Sequence, residues 1–143
     1  MKGVKDLLLD DSPKNIKKLE KLLSKDAESA AYLDACRAEA GSGTAREYPK
    51  LRLLLTDSYL CSLRMGFAGG ITIIPVSNIT SIYRTNIIAN EYDFSQFTLA
   101  VETTTGIRYM ATFPRTGVKS LDIFNEVIDA VKSKTTLNGG TQL

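Results

Sequence analysis

Leu51-Arg52-Leu53-Leu54-Leu55-Thr56-Asp57-Ser58-Tyr59-Leu60-Cys61-Ser62-Leu63-Arg64-Met65 is the stretch on which the reading of the fold turns. Leu51, Leu53 and Leu55 alternate with Arg52 and Thr56, a period of two that lines apolar side chains along one face of a strand. Asp57-Ser58 supplies turn chemistry, and a second run from Tyr59 to Met65 follows. Two such runs about a short polar turn predict an antiparallel hairpin.

Downstream the same logic repeats. Gly66-Phe67-Ala68-Gly69-Gly70 reads as a hairpin loop leading to Ile71-Thr72-Ile73-Ile74-Pro75-Val76, and Ser77-Asn78 leads on to Ile79-Thr80-Ser81-Ile82-Tyr83-Arg84. Pro75 has no amide to give a ladder, so its strand ends there or lies at an edge. Phe97 to Glu102 and Ile107 to Phe113 flank Thr103-Thr104-Thr105-Gly106 as a second hairpin, and the strand pattern stops at Pro114. Residues 86–95 are polar and read as a long loop in which Ile87-Ile88 needs an anchor. Val118, Leu121, Phe124, Val127, Ile128 and Val131 recur at helical spacing and predict a closing helix from Val118 or Ser120 to Lys134. The tail from Thr135 to Leu143 holds too little apolar content to pack and is expected to be mobile.

Upstream the composition changes at residues 41–49, where Gly41-Ser42-Gly43-Thr44 precedes Tyr48-Pro49. Before that break the chain reads helical. Ser12-Pro13 is a start signal, because the serine oxygen accepts from a first-turn amide and proline suits the first helical position. Ile16, Leu19, Leu22 and Leu23 form an apolar stripe, with Lys14, Lys17, Lys18, Lys21 and Lys25 on the remaining surface. From Asp26 to Ala40 the alanines Ala27, Ala30, Ala31 and Ala38, with Leu33, are available for packing, while Asp34, Arg37 and Glu39 suit solvent. The segment is one long helix or two shorter ones, and Gly41 stops it by taking up a left-handed conformation. The chain thus divides into an N-terminal helical segment (1–43), a strand-rich domain (44–134) and a tail (135–143).

Composition limits the chemistry. The 143 residues are 43% hydrophobic and 24% charged, with neither histidine nor tryptophan. Without histidine, Ser-His-Asp triads and His-containing zinc sites are excluded. Eighteen Lys+Arg against sixteen Asp+Glu leave a net charge of +2, too small for long-range attraction of DNA or RNA. The basic excess gathers in residues 2–25, which hold seven lysines against Asp6, Asp10, Asp11 and Glu20. Cys36 and Cys61 lack metal-site or disulfide-framework spacing and read as small buried apolar residues. Leu7-Leu8-Leu9 is too short for a signal-peptide core, and no window reaches the roughly 20 apolar residues of a membrane span, so a cytoplasmic location is expected.

Two motifs carry a resemblance. Leu54-Leu55-Thr56-Asp57-Ser58-Tyr59-Leu60 is similar to the "LTDxYL" opening hairpin of bacterial pleckstrin-homology-like (PH-like) and GRAM-like domains. Ile73-Ile74-Pro75-Val76-Ser77-Asn78-Ile79-Thr80-Ser81-Ile82 resembles their "IPxxxIxxI" stretch. With the paired strands 97–113 and the closing helix, the resemblance covers about residues 48–134. It implies an α+β fold: a bent antiparallel sheet forming a half-open barrel of six to seven strands, capped by the C-terminal helix and preceded here by the helical segment. Six strands are clear where seven are typical, which leaves room for one in residues 44–50 or 86–95.

The resemblance implies a non-catalytic binding or scaffolding module that takes a protein or peptide, without cofactor, metal or nucleic acid. Inositide-binding members carry a basic first hairpin loop, whereas Thr56-Asp57-Ser58 is acidic. Partner contact is expected at the 85–95 loop, through Asn86, Ile87, Ile88, Asn90, Glu91 and Tyr92, and at any open sheet edge. The glycines Gly66, Gly69 and Gly70 lack the helix and lysine of a phosphate-binding loop. Asp10 with Asp11, Glu91 with Asp93 and Asp122 with Glu126 fit caps, turns or helix exteriors as well as acid-base work. The alternative function is peripheral association with an anionic membrane through Lys14, Lys17, Lys18, Lys21 and Lys25.

Overall fold

The computed structural model describes residues 3–64, 70–85, 87–88, 91–92, 96–114 and 118–137. The chain forms two compact units, Met1–Pro75 and Val76–Leu143.

The first unit opens with four short helices, α1 (Val4–Leu9), α2 (Pro13–Leu22), α3 (Ala27–Ala31) and α4 (Leu33–Ala40). Helix α1 falls within the segment read as helical (1–43) but ahead of the Ser12 start signal, and its six residues carry only Val4, Leu7 and Leu8 as a buried face. Its end is fastened by side chains from elsewhere. Asn15 Nδ2 donates to Leu7 O and to Asp10 O, both at 2.7 Å, and Arg37 Nε donates to Leu8 O at 2.9 Å. Terminal carbonyls that α1 cannot satisfy internally thereby find donors. Helix α2 starts as expected, with Ser12 Oγ accepting from Asn15 N. The stretch expected as one or two helices is two, with Asp26 Oδ1 accepting from Ser29 N to start α3.

The alanine reading needs correction. Ala27, Ala30, Ala31 and Ala38 are exposed, and the buried positions are Ser29, Cys36 and Ala40. Arg37 and Glu39 are half-buried and bonded within the unit instead of simply solvated. Gly41 does end α4, but in a right-handed conformation with φ −84°. The left-handed residue of this region is Arg52, at φ 53°, closing the short 3-10 turn Pro49–Leu51.

Strands β1 (Arg46–Tyr48), β2 (Leu53–Leu55), β3 (Tyr59–Arg64) and β4 (Gly70–Pro75) form an antiparallel sheet in that order. The predicted hairpin is β2–β3, with Leu55 opposite Leu60 across the 56–58 turn. β1 supplies a strand in the 44–50 window, and β4 ends at Pro75 on the sheet edge. The composition break at 41–49 marks a change from helix to strand inside one unit. Leu8, Leu19, Leu23, Cys36 and Ala40 of the helices and Leu54, Cys61, Leu63, Ile71 and Ile73 of the sheet share one apolar cluster. Leu53, Leu55, Leu60 and Ile74, which alternate with those sheet residues, are also buried, so β2 is a run of three leucines without a polar face.

Helix α3 occupies the outer edge of β4. Ser29, fully buried, accepts from Ile73 N at 2.9 Å and faces Ile73 O at 3.4 Å, while also donating to Asp26 Oδ2 at 2.9 Å. A single hydroxyl thus meets edge groups of a strand that, among the described residues, has no further strand beside it.

In the second unit, β5 (Ile79–Thr85), β8 (Gln96–Thr103) and β9 (Gly106–Pro114) form a three-stranded antiparallel sheet, followed by α5 (Val118–Leu137). The 103–106 hairpin is as expected, with Gly106 at φ 137°, a conformation open to glycine at little cost. Residues 86–95 are not simply a loop: β6 (Ile87–Ile88) pairs with β7 (Glu91–Tyr92) as a small antiparallel hairpin. Helix α5 runs three residues beyond Lys134 and buries Phe124, Val127, Val131 and Thr135, so the tail begins later than Thr135. Asn138 to Leu143 lie outside the described residues. The described ladders form open sheets, not a closed barrel.

Two predictions test this packing. Ser29→Ala leaves the buried Ile73 amide without its acceptor and is expected to cost about 1–3 kcal/mol in urea unfolding, with faster hydrogen exchange at Ile73. A chain beginning at Thr44 loses the helical half of the shared cluster and is expected to lack cooperative unfolding of residues 46–75.

Candidate functional site

The amphipathic pattern of α2 is resolved by its packing. Leu19 and Leu23 are buried, and Ile16 and Leu22 pack partly buried against the same cluster, so the whole apolar stripe is used inside the first unit. At about 100° per residue, Lys14, Lys17, Lys18 and Lys21 fall in one sector on the opposite side, and all four are exposed. Lys25, also exposed, follows in the turn after the helix. Among the described residues none of these five ammonium groups has a hydrogen-bond or ion-pair partner. A shallow depression of about 480 Å³ runs beside them, bounded by Asp10, Ser12 and four of the lysines.

The expected 85–95 contact segment is described only in part. Ile87, Ile88, Glu91 and Tyr92 lie on β6 and β7, with Ile87 opposite Tyr92 and Ile88 opposite Glu91. Asn86, Asn90 and Asp93 lie outside the described residues, as do Gly66 and Gly69 of the glycine-rich loop; Gly70 belongs to β4.

The turn after β2 is tightly bound from within. Thr56 N donates to Tyr59 O at 2.9 Å, and Tyr59 N donates to Thr56 Oγ1 at 3.0 Å. Glu39 Oε1 of α4 accepts from Ser58 N at 2.8 Å. A carboxylate therefore sits on the turn that already carries Asp57, which adds to the acidic character read from the sequence.

The sequence reading missed a surface on the second unit. Register places Tyr83 of β5 opposite Ala100 of β8 and Ala100 opposite Tyr109 of β9; one row along, Ser81 lies opposite Glu102 and Glu102 opposite Ile107. Tyr83, Glu102, Ile107 and Tyr109 thus share one face, with Ile107 49% and Tyr83 36% exposed. The Tyr83 hydroxyl is hydrogen-bonded to the Glu102 carboxylate; that bond, with burial and the nearby negative charge, raises its pKa above the usual tyrosine range. The other register row carries Ile82, Leu99 and Val101, all buried. Alternation in strands 79–85 and 106–114 was the available signal, but one sequence does not say which face stays uncovered.

Cys36 and Cys61 are buried, as expected, and adjacent, which their separation in sequence does not suggest. A hydrogen bond to Cys36, reinforced by burial, pushes the Cys61 thiol well above its ordinary range. Cys61 therefore persists as a neutral thiol, a poor nucleophile and a poor metal ligand. Among the described residues no group of three or more Cys, Asp or Glu side chains is placed to hold a metal ion, and no helix is long and apolar enough to cross a membrane.

Comparisons give no relative from which to transfer a role: no family model, curated protein or solved structure matches the chain.

The thiol pair yields a pH prediction. A folded-state pKa above the unfolded one means that Cys61 contributes stability in full below the unfolded value, near 9.0, and loses that contribution as pH rises past it. Unfolding free energy is expected to fall more steeply above about pH 9 in the native chain than in Cys61→Ala, measured by urea titration at each pH.

Proposed function

We propose that the chain is a non-catalytic binding module of PH-like architecture that takes a protein or peptide on the outer face of its second sheet. Support for the architecture comes from strand number and order. Nine strands precede a single C-terminal helix; the two larger sheets, of four and three strands, together number the seven typical of the family that Leu54–Leu60 and Ile73–Ile82 resemble, with the β6–β7 pair as an insertion between β5 and β8.

The observation that carries the binding reading is the composition and position of the exposed face. Ile107 and Tyr109 stand on β9, a nine-residue strand whose only ladder among the described residues is with β8. Its outer edge offers backbone groups to an extended segment, and Tyr83, Ile107 and Tyr109 offer apolar contact beside it. Tyrosines are well suited to this, having large rigid rings with a polar tip and few torsions to restrain. The β6–β7 hairpin branches from between β5 and β8 and adds backbone close to the same sheet in sequence.

The test is affinity capture with the full chain, followed by calorimetry with the purified captured partner. Ile107→Lys and Tyr83→Ala are expected to weaken binding about ten-fold or more while leaving the melting temperature nearly unchanged. Hydrogen exchange in residues 106–114 is expected to slow in the complex. Binding indifferent to both substitutions would refute this site, and turnover of a small molecule by the chain would refute the non-catalytic reading.

A further inference from the structure

The lysine face of α2 belongs to the other unit and uses none of the residues above. We propose that this face is an electrostatic docking surface for an anionic phospholipid bilayer, to which the chain adsorbs without inserting apolar side chains.

Three observations converge. Lys14, Lys17, Lys18 and Lys21 occupy one side of the helix, exposed and without anionic partners among the described residues, and Lys25 continues the array. The arrangement opposes helix stability, because Lys14–Lys17, Lys14–Lys18, Lys17–Lys21 and Lys18–Lys21 are like-charge pairs at spacings of three or four. A face serving solubility alone is better built from alternating signs, as the chain's nearly balanced total charge would permit. Finally, Ile16, Leu19, Leu22 and Leu23 are committed to the core, so attraction must come from charge alone.

The nearby acids do not cancel the array. Asp10 Oδ1 already accepts from Ser12 N at 3.0 Å; Asp11 precedes the helix, and Glu20 lies to one side of the lysine sector. A bilayer fits this chemistry better than nucleic acid or peptide. The face has no arginine to form a bidentate contact with one phosphate and no aromatic ring to stack on a base. It has no apolar anchor of the kind that centres a protein interface. Flexible, interchangeable point charges match a plane of many equivalent headgroups.

The test is co-sedimentation of the full chain with phosphatidylcholine vesicles, with and without phosphatidylserine, at low and physiological salt. The variant Lys14→Gln, Lys17→Gln, Lys18→Gln, Lys21→Gln changes only exposed side chains to another good helix former. The native chain is expected to bind phosphatidylserine vesicles alone, and to release in about 0.5 M salt. At about five-fold per lysine, the variant is expected to lose at least a hundred-fold in partitioning, with an unchanged or higher melting temperature. Equal partitioning to neutral vesicles, persistence in high salt, or unchanged binding by the variant would each overturn the proposal. So would tighter binding to an RNA or DNA duplex than to the anionic vesicles at matched salt.

Discussion

The helices and the first sheet of this chain hold one another up. Strands β1 and β2 have three residues each, and a sheet of such short strands has little stability without a cover. Helices of five to ten residues are likewise marginal in water alone. What makes both persist is the cluster in which Leu8, Leu19, Leu23 and Cys36 meet Leu54, Cys61, Ile71 and Ile73. The polar fastenings, Asn15 and Arg37 on the end of α1 and Ser29 on the edge of β4, set the position of elements already brought together by apolar burial.

That commitment shapes the surface as well. An amphipathic helix has one apolar side to spend, and α2 spends it internally, which leaves a layer of ammonium groups with no internal task. The second unit shows the converse. One row of its sheet is buried through Ile82, Leu99 and Val101, while the opposite row leaves Tyr83 and Ile107 exposed around a buried Ala100, with Glu102 and Tyr109 half-buried. The two faces differ in chemistry, one cationic and devoid of rings, the other aromatic with a single carboxylate.

Much of the strand framework was legible in the sequence, because turn residues and runs of β-formers act locally, although the alternation read over residues 51–55 is not kept: Leu51 and Arg52 form a 3-10 turn and its left-handed cap, and β2 is buried on both faces. Asp57-Ser58, Pro75, Thr105-Gly106 and Pro114 each mark a boundary that the structure keeps. Less legible were features set by distant partners. Helix α1 rests on three buried side chains and on donors eight and twenty-nine residues away. β1 contains Arg46 and Glu47, which no period singles out. Ser29 lies among alanines that look better suited to packing, and its role depends on a strand 44 residues later. The exposed face of the second sheet was hidden for a related reason: its alternation is plain, but which side is covered is a tertiary fact.

The cap that α3 places on β4 also governs how the chain fails. Ile71-Thr72-Ile73-Ile74 is uncharged, wholly β-branched and free of proline until Pro75, the composition that stacks readily into intermolecular sheets. In the native fold its edge is occupied by a five-residue helix held by one serine, a small piece of structure able to detach before the rest unfolds. Opening of α3 alone would therefore bare a self-complementary strand while most of the core is intact.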